Sequence, residues 1–278
     1  MDSNILRIKC RDEKGLIYKI TKVIFENDLN IVSNNEFVEK ESQMFFMRSG
    51  ILGSCNKTYI VNELLNVLPT EAEVNFVEDK NKRIVIFATK EYHCLADILL
   101  RVEQADLSAN ILAVISNYDS LEALVRKFNI PFIFISHEGK SREEHEDLIH
   151  EELGNLDPDF LVLAKYMRVL SSSFVDRYEH RIINIHHSFL PAFAGGNPYR
   201  QAFQSGVKII GATAHFVTEV LDEGPIIAQS VIPVAHSHSL QEMINAGRDI
   251  EKLVLSKSLK LVLEEKIFIS GRKTIILD

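Results

Sequence analysis

Residues 4–12, NILRIKCRD, alternate apolar and charged side chains, the period of a strand with one buried face. The rhythm then changes. In KGLIYKITKVIFENDLN the apolar positions Leu16, Ile20, Val23 and Ile24 recur at helical spacing, leaving Asp12 and Lys14-Gly15 in the loop between. IVSNNEFVEK and QMFFMRSGIL read as two strands around the polar turn ESQ, and the helix KTYIVNELLNVL and the strand EAEVNFVED complete a βαββαβ series. That order predicts a ferredoxin-like unit.

The polar stretch DKNKR, residues 79 to 83, marks a boundary. Beyond it, IVIFAT, ANILAVISN, PFIFIS, DFLVLAKY and RIINIHH are short, nearly unbroken apolar runs. The helical segments HCLADILLRVEQA, SLEALVRKF, SREEHEDLIHEELGN and SSSFVDRY lie between them. Strands apolar on both faces and joined by helices predict a doubly wound, mostly parallel sheet. IIGATAHFVT and PIIAQSVIPV, joined by EVLDEG, predict an antiparallel hairpin, and SLQEMINAGRDIEKLVLSKSLKLVLEEK predicts one or two helices. The expected protein is α/β with two domains, residues 1–82 and 83–278.

Composition narrows the function classes. With 278 residues, 46% of them hydrophobic and 25% charged, the chain has apolar material for two cores. A net charge of -8 without any Lys/Arg block argues against a role built on nucleic-acid backbones. Cys10, Cys55 and Cys94 are odd in number and scattered, which fits neither a disulfide framework nor a CxxC metal clamp and points to a reducing, intracellular compartment. The opening MDSNILRIKCRDEKG carries no signal or transit pattern, and no apolar run approaches the ~20 residues of a membrane span. A soluble, cytoplasmic protein is expected, without nucleic acid or membrane as partner.

Several familiar motifs are missing. GKS at Gly139 to Ser141 lacks the first glycine of a phosphate loop, which would stand at Phe134, and neither GxGxxG nor GxSxG occurs. His186 and His187 are adjacent and point apart in a strand, with no third and fourth ligand at metal-like spacing, so no metal is expected. More telling, Asn184 and His186 are two apart at the end of an apolar run and share a face. The carboxyl ends of parallel strands are where open α/β sheets bind ligands. There, an imidazole that shuttles protons and an amide that donates to an oxyanion are useful neighbours. Asp222, in LDEGP, supplies a carboxylate, although Asp before Gly and Pro is also ordinary turn chemistry.

Together, NIHHSFLP with Asn184, His186 and Pro191, GATAHFV, and LDEGPII with Asp222 resemble the formyltransferase family that handles 10-formyltetrahydrofolate. The resemblance implies Asn184, His186 and Asp222 as the catalytic set. VLAKYMRVLSSSFV resembles the family's folate-binding strand and loop, and SHEGKSREEHE the segment before it. This implies substrate contacts from Met167, Arg168, Val169 and Leu170 and from Leu221, Glu223 and Gly224, with His215 close behind the catalytic set. Folate is then the substrate, and no cofactor is implied.

RIVIFATKEYHCLADIL and AGRDIEKLVLSKSL resemble the branch of that family that gives the formyl group to water. Its products are tetrahydrofolate and formate, with a role in balancing the one-carbon pool and supplying formate for purine synthesis. A physical argument agrees. The branch that formylates a phosphorylated amine uses a glycine-rich loop after the first catalytic-domain strand, where backbone amides cradle the phosphate. Here that stretch is TKEYHCLAD, without glycine, and Tyr92, His93 and Cys94 fill the space. Formyl transfer to an amine and a noncatalytic folate or amino-acid sensor are the competing functions. One departure from the family is FAGGNPYRQAF, with Gly195, Gly196 and Asn197 where a bulkier, more basic stretch is expected.

The water-using branch also carries an N-terminal ACT domain, which the βαββαβ unit with DEKGL resembles. The resemblance implies a homo-oligomer and an amino-acid effector near Asp12, Gly15, Leu16 and Ile17, with Asn30 and Ile31 opposite.

Overall fold

A computed structural model describes residues 3–192 and 198–278, so the Gly195-Gly196-Asn197 departure lies outside the described residues. The chain forms two compact units, Met1–Lys80 with Glu264–Ser270 and Ile275–Asp278, and Asn81–Leu263 with Gly271–Thr274.

In the first unit β1 (Ser3–Arg11), α1 (Leu16–Glu26), β2 (Asn30–Glu39), β3 (Met44–Leu52), α2 (Lys57–Val67) and β4 (Glu73–Glu78) follow in the order read from the periodicity. They make an antiparallel sheet ordered β2-β3-β1-β4. Gly15, at φ 92°, turns the chain from β1 into α1 in a conformation that side-chained residues avoid. Leu6 and Ile8 of β1, Met47 of β3, Ile20 and Ile24 of α1 and Ile60 and Leu64 of α2 form the core.

Period two puts Phe46 on the opposite face of that sheet, away from Phe45 and Met47. It is fully buried there, against Phe268 and Leu277. This sets the boundary apart from the 82/83 division. The chain divides at Lys80/Asn81, and most of its last fifteen residues return to the first unit because an apolar sheet face needs cover. Their ribbon, β12 (Ile267–Ser270) and β13 (Lys273–Ile276), turns at Gly271.

The second unit is a seven-stranded sheet ordered β11-β10-β9-β8-β5-β6-β7. Its strands are β5 (Lys82–Ala88), β6 (Ala109–Ser116), β7 (Phe132–Phe134), β8 (Phe160–Leu163), β9 (Ile182–His186), β10 (Ile209–Phe216) and β11 (Ile226–Pro233). β5 to β9 pair in parallel, while β10 is antiparallel to both neighbours and forms the expected hairpin with β11. α5 (Arg142–Leu156) and α6 (Ser172–Arg177) cover one face through Ile149, Leu153 and Phe174. Ser141 of the false phosphate loop is the N-cap of α5, in a capping box with Glu144.

α8 (Leu240–Leu263) is one helix, packed on β9, β10 and β11 and against α3 (His93–Glu103) and α7 (Pro198–Ser205). Among the described residues no helix is long and apolar enough to cross a membrane. From β5 the chain steps to β6 on one side; β8 pairs on the other side and leads to β9. The direction of travel therefore reverses between β5 and β8, and the crevice beyond their carboxyl ends is the natural ligand position.

Candidate active site

β9 carries Asn184 and His186 on one face, as their spacing requires, and its antiparallel pairing with β10 sets His215 opposite Asn184 and Thr213 opposite His186. The β10–β11 loop then brings in Asp222. It can do so because Gly224 has no side chain: a Cβ there would stand 1.7 Å from the carbonyl oxygen of Phe216. Asp222 itself is held at φ 59°, the left-handed region, which Asp tolerates better than most residues. A non-glycine residue kept there is a common mark of a functional loop.

The geometry fixes the roles of the imidazole atoms. His186 Nδ1 lies 3.3 Å from Asp222 Oδ1, while its Nε2 is buried and meets no hydrogen-bond partner among the described residues. With the proton on Nδ1 directed at the carboxylate, Nε2 is the atom offered to a substrate. His215 Nδ1 is 2.9 Å from the Phe216 carbonyl and must donate to it, so Nε2, 3.3 Å from Asn184 Nδ2, accepts. Burial pushes the His215 imidazole below its ordinary value, against the pull of the carbonyl and of Asp222. A neutral His215 thus orients the Asn184 amide and leaves one of its two N–H groups for the cavity. Burial works to raise the Asp222 carboxyl, but the hydrogen bond and the charge of His186 outweigh it and hold it below the usual range.

These groups open onto a cavity of about 260 Å³. Its walls include Asn184, His186, His215 and Asp222 and the loop after β8, Met167, Arg168, Val169 and Leu170, with Leu221 opposite. Met167, Val169 and Leu221 are exposed apolar side chains at its rim. Two expected contacts are not in its lining. Glu223 turns to Arg272 at 3.0 Å, and Gly224 is spent on the loop's close approach to β10. His187 differs from the reading that faces it away: the strand ends at His186, so alternation stops there. Its ring lies 5.2 Å from that of His186 and lines the cavity.

A second polar cluster lines the crevice between β5 and β8. Glu251 of α8 is fully buried; His93 Nε2 is 2.8 Å and Lys165 Nζ 3.2 Å from Oε2, and the Tyr199 hydroxyl donates to Oε1 at 2.5 Å. Glu91 stands 3.3 Å from His93 Nδ1 and 3.1 Å from Arg248. One turn before Glu251, Gly247 seats the Tyr199 ring, where a Cβ would come within 2.2 Å of it. Burial works to raise the Glu251 carboxyl, yet His93, Lys165 and Tyr199 bring it down to about 2. Burial opposes the charge on His93 in turn, and bonds to Cys94, Glu251 and Glu91 push it up to about 11. His93, Cys94 and Glu251 are close enough to hold a metal ion, but the Lys165 ammonium already supplies the cation that Glu251 needs.

None of these partners was named from the sequence except His93, read as a filler. The signal was present: Glu251 sits in the buried stripe Gly247, Ile250, Val254, Leu255 of α8, where an unpaired carboxylate does not survive.

Residues 82–259 match the family model described as Formyl transferase. Over 277 residues the chain is 50% identical to a formyltetrahydrofolate deformylase of Haemophilus influenzae, spanning 100% of both chains. It superposes on the crystal structure of a formyltetrahydrofolate deformylase from Pseudomonas syringae pv. tomato with a TM-score of 0.95 at 35% identity, over 100% of this chain and 95% of that one. A glycinamide ribonucleotide transformylase 1 from Symbiobacterium toebii gives a TM-score of 0.68 at 31% identity, over 71% of this chain and 95% of that one.

Proposed function

The chain belongs to the formyltransferase family and, within it, to the formyltetrahydrofolate deformylases; from that premise we propose that it hydrolyses 10-formyltetrahydrofolate to tetrahydrofolate and formate through Asn184, His186 and Asp222. The observation that carries the assignment of residues is Nε2 of buried His186, without a partner among the described residues, with Asp222 on Nδ1 and Asn184 lining the same cavity.

Water adds to the formyl carbon, and the carbonyl oxygen becomes an oxyanion. The free Asn184 N–H and Nε2–H of the imidazolium form of His186 donate to it where its charge develops. Asp222, ionised at neutrality and anchored by His186, orients the water and accepts its proton. The intermediate then breaks its bond to N10, which takes that proton, and the formic acid so formed gives up its own proton to solvent and departs as formate. The pterin lies in the apolar part of the cavity around Met167 to Leu170 and Leu221. Arg168, which lines the same cavity, faces the carboxylates of the substrate's tail. The stretch after β5 has no glycine-rich cradle for an acceptor's phosphate, which favours water over a phosphorylated amine as acceptor.

The first unit serves as an ACT-type regulatory and oligomerisation domain for a small amino acid. Its βαββαβ order and the glycine turn at Gly15 support this. The effector position is the loop at Asp12 and Gly15 with the start of α1, opposite Asn30 and Ile31 at the start of β2. Leu16 is in the core and offers only its backbone, whereas Ile17 is exposed. Titrating glycine and methionine into an activity assay tests it; no response to any amino acid leaves this unit a scaffold. Formate release from 10-formyltetrahydrofolate by the wild type and Asp222→Asn tests the catalytic reading. It fails if the wild type releases none without an added amine, or if the variant keeps full activity.

A further inference from the structure

Beside the catalytic cavity lies a second one, of about 290 Å³, and the two share Lys165, Met167 and His187 as walls. Arg200, Arg248, Glu91 and Glu251 also line it. The two carboxylates are already matched: Glu251 by Lys165 and His93, Glu91 by Arg248 and His93. Among its lining residues, Lys165, Arg200 and Arg248 against Glu91 and Glu251 leave a surplus of one positive charge. It sits in a chain whose net charge is -8. Low-dielectric walls focus such a surplus and draw a small anion. At roughly 30 Å³ for each water-sized group, the space takes an anion of a few atoms with its hydration.

The chemistry of the catalytic cavity calls for such an exit. Formate forms at the inner end, at His186, while the folate fills the side lined by the β8 loop and Leu221. The surplus charge lies on the other side of His187. Burial first, and then the charge of Lys165, push the His187 imidazole down to about 4, so it stays neutral and offers a polar wall without trapping the anion. We infer that the second cavity is a formate site, which takes the product past His187 and lets it leave while tetrahydrofolate is still bound.

This rests on the deformylase reading, and the test separates the two. Sodium formate is added to turnover assays of the full chain over a range of 10-formyltetrahydrofolate, against sodium chloride at matched ionic strength. The expected result is a fall in kcat with KM changed less than about twofold, and weaker inhibition by inorganic phosphate, which is larger. Inhibition that raises KM alone, or that chloride reproduces, overturns the formate site and leaves deformylation standing.

Arg200 is exposed on α7, so Arg200→Gln does not threaten the fold, and Arg248→Gln probes the deeper wall. A formate inhibition constant about tenfold higher in either variant supports the site; no change in both refutes it. Calorimetric titration of formate into the resting protein reads the same two variants without turnover. An absence of formate binding there counts against the site, whereas an absence of formate release from substrate counts against the deformylase reading.

Discussion

Two buried polar clusters lie within the second unit, and they are built to opposite ends. Around Glu251, each charge the helix and strands bury finds its counterpart: one carboxylate takes His93, Lys165 and Tyr199 together. Around His186, Nε2 meets no partner among the described residues, and the residue lines a cavity. Both clusters hold groups with shifted proton affinities, so a shift alone does not mark chemistry. The difference is completeness. A finished network stabilises, and an unfinished one is ready for a substrate.

The sharpest way to break this comparison is Asp222→Asn. The amide keeps the shape but neither accepts a proton from water nor holds the imidazolium, so the formate-release rate should fall on the order of 10³ to 10⁴-fold, with the melting temperature almost unmoved. A large loss of stability instead would make the catalytic cluster structural. Next comes Glu251→Ala, which strands Lys165 and the charged His93 in the core. Denaturant unfolding should show a loss of about 3 to 5 kcal/mol, the usual result of removing one partner from a buried pair. If its kcat, measured cold where it stays folded, fell as far as that of Asp222→Asn, the division between the clusters would collapse.

Asn184→Ala removes one donor to the oxyanion and should lower kcat by about 10² to 10³, with little change in KM. The smallest effect is on pH dependence, and the clusters differ in sign. His93 is raised to about 11, so its stabilisation is whole below its ordinary value of about 6.5, declines as pH rises and is gone above about 11. Between pH 7 and pH 10 the wild type should therefore lose more melting temperature than His93→Gln. Asp222 is depressed, so its carboxylate is present above the usual carboxyl range and lost as pH falls through the lowered value. Activity should fall on the acid side, and a profile with no acid limb would speak against an ionised Asp222.

The same contrast explains how much was legible in the sequence. Strand alternation and helical spacing placed the elements of the first sheet, and the apolar runs placed the strands of the second along the chain though not their order in the sheet, because these patterns follow from backbone geometry and burial. Asn184 and His186 were found by that same period. It stopped helping one residue later, where the strand ends and His187 turns back beside His186. The last residues escaped the domain division because nothing local in IFISGRKTIILD says that Phe46, more than two hundred residues earlier, needs Phe268 and Leu277 over it. Glu251, Lys165 and Tyr199 were missed for a related reason. Each is a conspicuous polar residue in an apolar context, but only the packing of α8 on the sheet shows that they answer one another.

The central claim is that the unfinished cluster delivers water to the formyl carbon. The most direct test is turnover of unlabelled 10-formyltetrahydrofolate by the wild type in ¹⁸O-water without added amine, with mass analysis of the formate. Formate carrying at least one ¹⁸O, formed at a rate that Asp222→Asn abolishes, is the predicted result. Unlabelled formate, or none until an amine acceptor is supplied, would contradict it.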